Sequence, residues 1–108
     1  MYKIEDNKIT LTRGDSFYTT VTMEKDNEEY TPEEGDVIRF GLKLSPSDSE
    51  PLIEKVIPNE TLKLHLAPED TKELKPGLYC YDIEITFGDG DVDTFINNEE
   101  FVLAPEVI

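Results

Sequence analysis

The residues whose types and spacing best suit chemistry lie toward the C-terminus. Asp89, Asp91 and Asp93 follow D-x-D-x-D, and Glu100 falls where a calcium loop wants its bidentate acid. Carboxylate oxygens at that spacing can ligate a hard cation. Thr94 occupies the position where such a loop needs glycine to turn sharply, and the flanking residues read as strands rather than helices. The preferred reading is therefore a solvated hairpin tip, with calcium at Asp89, Asp91, Asp93 and Glu100 kept as a candidate. No other cofactor or metal is expected.

Cys80 and His65 are the only cysteine and the only histidine. A thiol beside an imidazole can act as a nucleophile, but nothing in the sequence supplies an oxyanion hole or an orienting group. A single histidine is also a poor zinc site, which needs three or four ligands. Arg13-Gly14-Asp15 spells an adhesion tripeptide and Asn59-Glu60-Thr61 a glycosylation sequon; a turn before a strand explains each. No nucleophile elbow or phosphate-cradling glycine loop is present. The expectation is a non-enzyme with no catalytic residues and no small-molecule substrate.

The elements that hold these residues read as strands. Tyr79, Tyr81, Ile83, Ile85 and Phe87 recur at every second position, and only an extended chain puts them on one face. Gly88-Asp89-Gly90-Asp91 then breaks the pattern, and Asp-Gly between two β runs signals a hairpin. The return strand starts near Val92, is interrupted at Asn97-Asn98 by a bulge or a change of sheet, and ends at Pro105. Upstream, the spacing predicts strands over 8–12, 16–23, 37–44, 51–57 and 61–66. Ile9, Leu11, Phe17, Thr19, Val21, Met23, Ile38, Phe40, Leu42, Leu44, Leu62, Leu64 and Leu66 point inward. The 51–57 strand, flanked by prolines, belongs at an edge. Residues 25–36 read as a polar loop. Residues 67–74 start with proline and acids, which suits a short helical turn.

About seven or eight short strands with regular turn signals predict an all-β fold. The expected architecture is an immunoglobulin-like β-sandwich of antiparallel strands with one short helical turn near 68–74. Residues 1–108 form a single domain. In this register Tyr18, Leu78 and Cys80 face outward and make the candidate partner-facing surface.

Composition narrows the function classes. Ten basic and 25 acidic residues give a formal charge of −15. Nucleic-acid binding needs a basic footprint, so no nucleic-acid partner is expected, and anionic membrane surfaces are equally disfavoured. No apolar run is long enough to span a bilayer. The N-terminal MYKIEDNKITLT has no basic stretch followed by an apolar block, so cytoplasmic synthesis without a signal peptide is the expectation.

Several motifs also resemble a known family. The stretches TRGDSFYTTVTM, PLIEKVI and LAPEDTKELKPGLYCYDIEITFGDGDVDTF, closing on FVLAPEV, are similar to the small immunoglobulin-like domain of phage and prophage tail proteins. They are also similar to the N-terminal domain of baseplate upper proteins from phages of Gram-positive bacteria. The family pattern places Gly14-Asp15 before the second strand. It puts Pro68, Asp70 and Thr71 in a turn. Pro76, Gly77, Tyr79, Tyr81, Asp82 and Ile83 form P-G-x-Y-x-Y-D-I, followed by Asp89-Gly90 and the closing strand Phe101 to Leu103. A full baseplate upper protein continues into a shaft, and this chain stops at Ile108. The resemblance implies a virion structural role, with other tail proteins or further copies of the chain as partners and no catalytic residues. The alternative is a β-sandwich binding module for carbohydrate or a cell-surface ligand.

Overall fold

The computed structural model describes residues 2–107. Each apolar stripe needs a second surface to bury it, and the strands pair accordingly. Among the described residues there are ten strands and one short helix. In chain order they are β1 (Tyr2–Glu5), β2 (Lys8–Thr12), β3 (Phe17–Thr20), β4 (Glu24–Lys25), β5 (Glu28–Glu29), β6 (Val37–Lys43), β7 (Ile53–Ile57), β8 (Lys63–Leu66), α1 (Pro68–Lys72), β9 (Gly77–Thr86) and β10 (Val92–Ala104). Six strands form one sheet in the order β1-β2-β10-β9-β6-β7, while β3 pairs with β8 and β4 with β5.

The all-β class and the short helical turn agree with the sequence. The antiparallel expectation does not hold throughout, because β2 runs parallel to β10, with Ile9 opposite Phe101 and Leu11 opposite Leu103. Local periodicity says which face a strand buries. It carries nothing about the direction of a neighbour some ninety residues away, so the mixed sheet was not legible.

The core explains why the two groups of strands stay together. Phe17, Leu64 and Leu66 of the β3–β8 pair join Ile9, Leu11, Phe40, Tyr81, Ile83 and Phe101 of the large sheet in one buried cluster. Tyr2 meets Phe17 edge-on at 4.8 Å between ring centres. Tyr81 sits between Phe40 at 5.6 Å and Phe101 at 6.3 Å, and its hydroxyl donates to the Asn7 carbonyl. Burying each large apolar side chain contributes roughly 1.5–3 kcal/mol, which makes β9 the strand the core depends on most.

Four further expectations need correction. Leu44 is exposed rather than inward, since β6 ends at Lys43 and the chain turns into the loop at Ser45. Leu62 lies at φ +54° and so precedes β8 instead of starting it, though it still packs on the core. Phe87 is only half-buried, against Tyr30. The stretch read as a loop over 25–36 contains all of the β4–β5 hairpin except Glu24.

Candidate functional site

The outward face of the large sheet carries a depression, and a residue without a side chain lies in it. Along β6 the residues Ile38, Phe40 and Leu42 are buried, so Arg39, Gly41 and Lys43 face out. Gly41 lies opposite Asp82 on β9 and Glu54 on β7. With no Cβ at the centre, a groove of about 370 Å³ opens there. Pro46 and Pro51 wall one side, and Asn97 and Asn98 wall the other.

The second wall is a consequence of the bulge read from Asn97-Asn98. The β9–β10 register slips between Thr94 and Ile96 and again between Ile96 and Glu99, leaving unpaired residues on β10. Asn98 takes φ +52°, and its N–H donates to Asp82 Oδ1 at 2.5 Å. Charges ring the groove in compensating positions. Arg39 lies 4.0 Å from Glu54 and 3.9 Å from Glu84. Such exposed pairs contribute little to stability, so they are free to exchange for a ligand or a partner side chain.

Cys80 lies in the same groove, and its environment works against nucleophilic chemistry. Its Sγ donates to the Lys43 carbonyl at 3.5 Å. Burial, with Asp82 adding repulsion, pushes the thiol up from its ordinary value, which keeps the thiolate scarce at neutral pH. His65 is far from it in the fold. It sits outward on β8, stacked on Tyr18 at 4.2 Å with Lys63 over the same tyrosine ring. Cys80 and His65 therefore face opposite outer surfaces and do not meet.

The candidate partner-facing residues divide the same way. Tyr18 is exposed on the outside of the β3–β8 pair, whereas Leu78 and half-buried Cys80 lie outside the large sheet. They do not form one patch. The calcium candidates are also spread out. Asp89 Oδ1 accepts from the Asp91 N–H within the turn, Asp93 lies on β10 opposite Ile85, and Glu100 lies opposite Cys80, 3.6 Å from Lys8. Among the described residues no three of His, Cys, Asp or Glu gather where they could hold a metal ion.

Two polar knots were missed in part by sequence reasoning. At one end Asp36 accepts from the Tyr30 hydroxyl at 2.5 Å, the Glu33 N–H at 2.9 Å and the Gly88 N–H at 3.0 Å. The Tyr30 hydrogen bond and these amides hold its carboxyl below the usual range. The same bond pushes Tyr30 up to about 12. At the other end Arg13 grips Glu106 through Nε at 3.0 Å and Nη2 at 2.5 Å and also donates to the Leu74 carbonyl. That grip holds the Glu106 carboxyl below its ordinary value. The adhesion tripeptide thus has its arginine already engaged.

Fold and site together describe a mostly β protein with a mixed six-stranded sheet, a shared core and an outer groove. Comparison with protein-family models, curated proteins and solved structures returned no match. Among the described residues no helix is long and apolar enough to cross a membrane.

Proposed function

We propose that the chain is a non-enzymatic, immunoglobulin-like structural or assembly domain of a phage or prophage tail, of the baseplate type, acting in the virion through protein–protein contacts. The observation that favours this reading is where the family-like motif residues converge. The Gly14 N–H donates to Thr71 Oγ1 at 2.9 Å, and Thr71 is fully buried. Pro68 opens α1, and Asp70 accepts from the Ala67 N–H at 2.7 Å while pairing with Lys55 at 2.9 Å. The Tyr79 hydroxyl donates to the Lys75 carbonyl at 2.6 Å. Gly14 and Thr71, 57 positions apart, thus tie one corner, with Asp70 and Tyr79 bonded to its backbone.

That corner also fits an immunoglobulin-like sandwich. In such folds a tyrosine near the start of strand F bonds back to the backbone just upstream, at the turn that crosses between sheets. Tyr79 would take that role, with β3 and β8 as B and E and β6, β9 and β10 as C, F and G. No disulfide is formed by Cys80, so the likeness is to the wider sandwich class and not to antibody domains.

The test is multi-angle light scattering of the purified chain, alone and mixed with the products of the neighbouring genes. A defined complex with a tail component supports the reading. A monomer that captures none overturns it. The groove at Gly41, flanked by Asn97, Asn98 and Arg39 with Tyr81 and two prolines in its lining, is where a carbohydrate would bind under the alternative reading. Glycan-array binding abolished by Gly41→Leu would favour that alternative.

A further inference from the structure

We propose that the open side of β3 is a docking edge for a single extended strand of a partner protein, with apolar residues at alternate positions and basic residues between them. The inference rests on the protein–protein reading above and specifies the surface and the chemistry of what it holds.

The edge is formed by unused backbone groups. Among the described residues β3 pairs only with β8, in the register Phe17 to Leu66 and Thr19 to Leu64. The Val21 N–H donates to the Leu62 carbonyl at 2.8 Å, which continues that register. Odd-numbered residues therefore direct their N–H and C=O groups at β8. The backbone groups of Tyr18, Thr20 and Thr22 point away from it, because an antiparallel strand alternates its bonding sides.

This edge is short, four residues in β3, but it lacks the charge, proline and bulges that block pairing. Proteins blunt free edges with charge, proline or bulges. The edge strand β7 carries Glu54 and Lys55 between Pro51 and Pro58, and β1 carries Lys3 and Glu5. Yet Ser16 to Met23 holds no charge and no proline in a chain that is 32% charged. A neutral, regular, threonine-rich edge is suited to accept a strand.

Beside it lies a place for the strand's side chains. A cleft of about 220 Å³ opens between β3 and the large sheet, lined by apolar Ile4, Ile9 and Ile83 and by polar Asn7, Thr20 and Thr22 among others. Tyr2 and Ile4 lie opposite the buried Leu11 and Ile9 and share their inward face, yet they are 43% and 42% exposed. Tyr2 touches β3 through its edge-on contact with Phe17, and both Tyr2 and Ile4 keep much of their surface open. A strand added to β3 would lie over these two residues and place one apolar side chain in the cleft.

The same arrangement argues against a second copy of the chain. A copy pairing through its own β3 would bring its own β1 and β2 into the space that β1 and β2 already fill. Two chains of charge −15 also repel. A lone strand has no second layer to clash, and basic residues between its apolar ones complement the acidic domain. Recognition would combine main-chain hydrogen bonds with pockets for alternate side chains.

The experiment uses the full chain and the synthetic peptide Lys-Val-Lys-Ile-Thr-Val-Lys-Val-Lys, with a control of the same composition whose apolar residues are grouped together. Heteronuclear NMR follows amide exchange. The peptide should slow exchange at Tyr18, Thr20 and Thr22 by about tenfold or more, bind about tenfold tighter than its control, and weaken as salt is raised. Thr20→Pro removes an outward N–H, which an edge strand tolerates, and Ile4→Lys places a cation at the mouth of the cleft. Each should lower affinity by about tenfold with an unchanged thermal transition; should Thr20→Pro misfold, Ile4→Lys alone decides. Protection that is absent from β3, or confined to the Gly41 groove, overturns the proposal, as does dimerisation of the chain through β3. A chain that captures a tail component with β3 unprotected keeps the assembly reading and loses this edge. One that binds the peptide at β3 but captures no tail component keeps the edge and loses the tail assignment.

Discussion

Tyr79 serves the core with its ring and the corner with its hydroxyl. The ring is buried in the common cluster, and the hydroxyl satisfies the Lys75 carbonyl at the end of the segment that crosses from β8 to β9. Tyr79→Phe keeps the ring and removes one hydrogen bond, so it should cost about 1 kcal/mol. Thermal unfolding should register that as a fall of roughly 4–8 °C. A larger fall would mean that the corner is a cooperative unit with Thr71 and Gly14. Gly41 should respond in the opposite direction. A Cβ there would meet only Pro51 Cβ at 3.7 Å, an ordinary contact, and the backbone is not in the left-handed region. Gly41→Ala should stabilise the chain by about 0.4–1 kcal/mol in urea titration while making the groove shallower. Both residues left a trace in the sequence. Tyr79 stood in a period-two run, and Gly41 took an outward position of another, where it leaves the strand without a side chain to pack. Asp36 left none, because its partners Tyr30 and Gly88 are joined to it only by the fold.

Elements were legible to the extent that they were long and buried on one face. β2, β6 and β9 alternate cleanly in sequence and in burial, with Ile9 and Leu11, then Ile38, Phe40 and Leu42, then Tyr79, Tyr81, Ile83 and Ile85 inside. The strands that were missed are short and charged. β1 exposes its inward residues, and β4 and β5 consist of Glu24, Lys25, Glu28 and Glu29 alone. Their signal lay in the turns. Asp6-Asn7 and Asp26-Asn27 are the same dipeptide, and all four residues have positive φ, from +49° to +68°. Each joins two strands across a two-residue loop, Glu5 to Lys8 and Lys25 to Glu28, which is the twist-compatible hairpin turn. The bulge on β10 was legible as Asn97-Asn98 because asparagine tolerates the left-handed region. Asn98→Val puts a β-branched residue at φ +52° and should cost about 1–2 kcal/mol. Asn98→Gly should leave stability nearly unchanged. Chemical denaturation of the two variants side by side separates backbone strain from any loss of the Asn98 side chain.

At the scale of the whole molecule, the charge of −15 and the two polar knots set opposing dependences on pH. The Asp36 and Glu106 carboxyls lie below their ordinary values because of Tyr30 and Arg13 respectively. A carboxyl depressed on folding stabilises the native state above its unfolded value, about pH 4, and that contribution is lost as pH falls through the lower folded value. Tyr30, through its bond to Asp36, and Tyr81, through burial, are pushed up to about 12. Their contribution is full below the unfolded value near pH 10 and is lost as pH climbs toward about 12. Between these limits the carboxylates repel one another. Mild acid neutralises part of that repulsion before it reaches the depressed groups, so the melting temperature should peak at about pH 5–6 rather than at neutrality. Added salt should flatten the fall from that peak toward pH 8, because it screens the exposed acids and leaves the knots intact. Asp36→Asn and Tyr30→Phe should each make both limbs shallower, because each group sets the other's shift, with the Glu106 component of the acid limb and the Tyr81 component of the alkaline limb remaining. Scanning calorimetry of the three proteins from pH 3 to 11 checks each sign. A maximum on the alkaline side of neutrality would show that ion pairs such as Lys55–Asp70 outweigh the repulsion of the surplus acids.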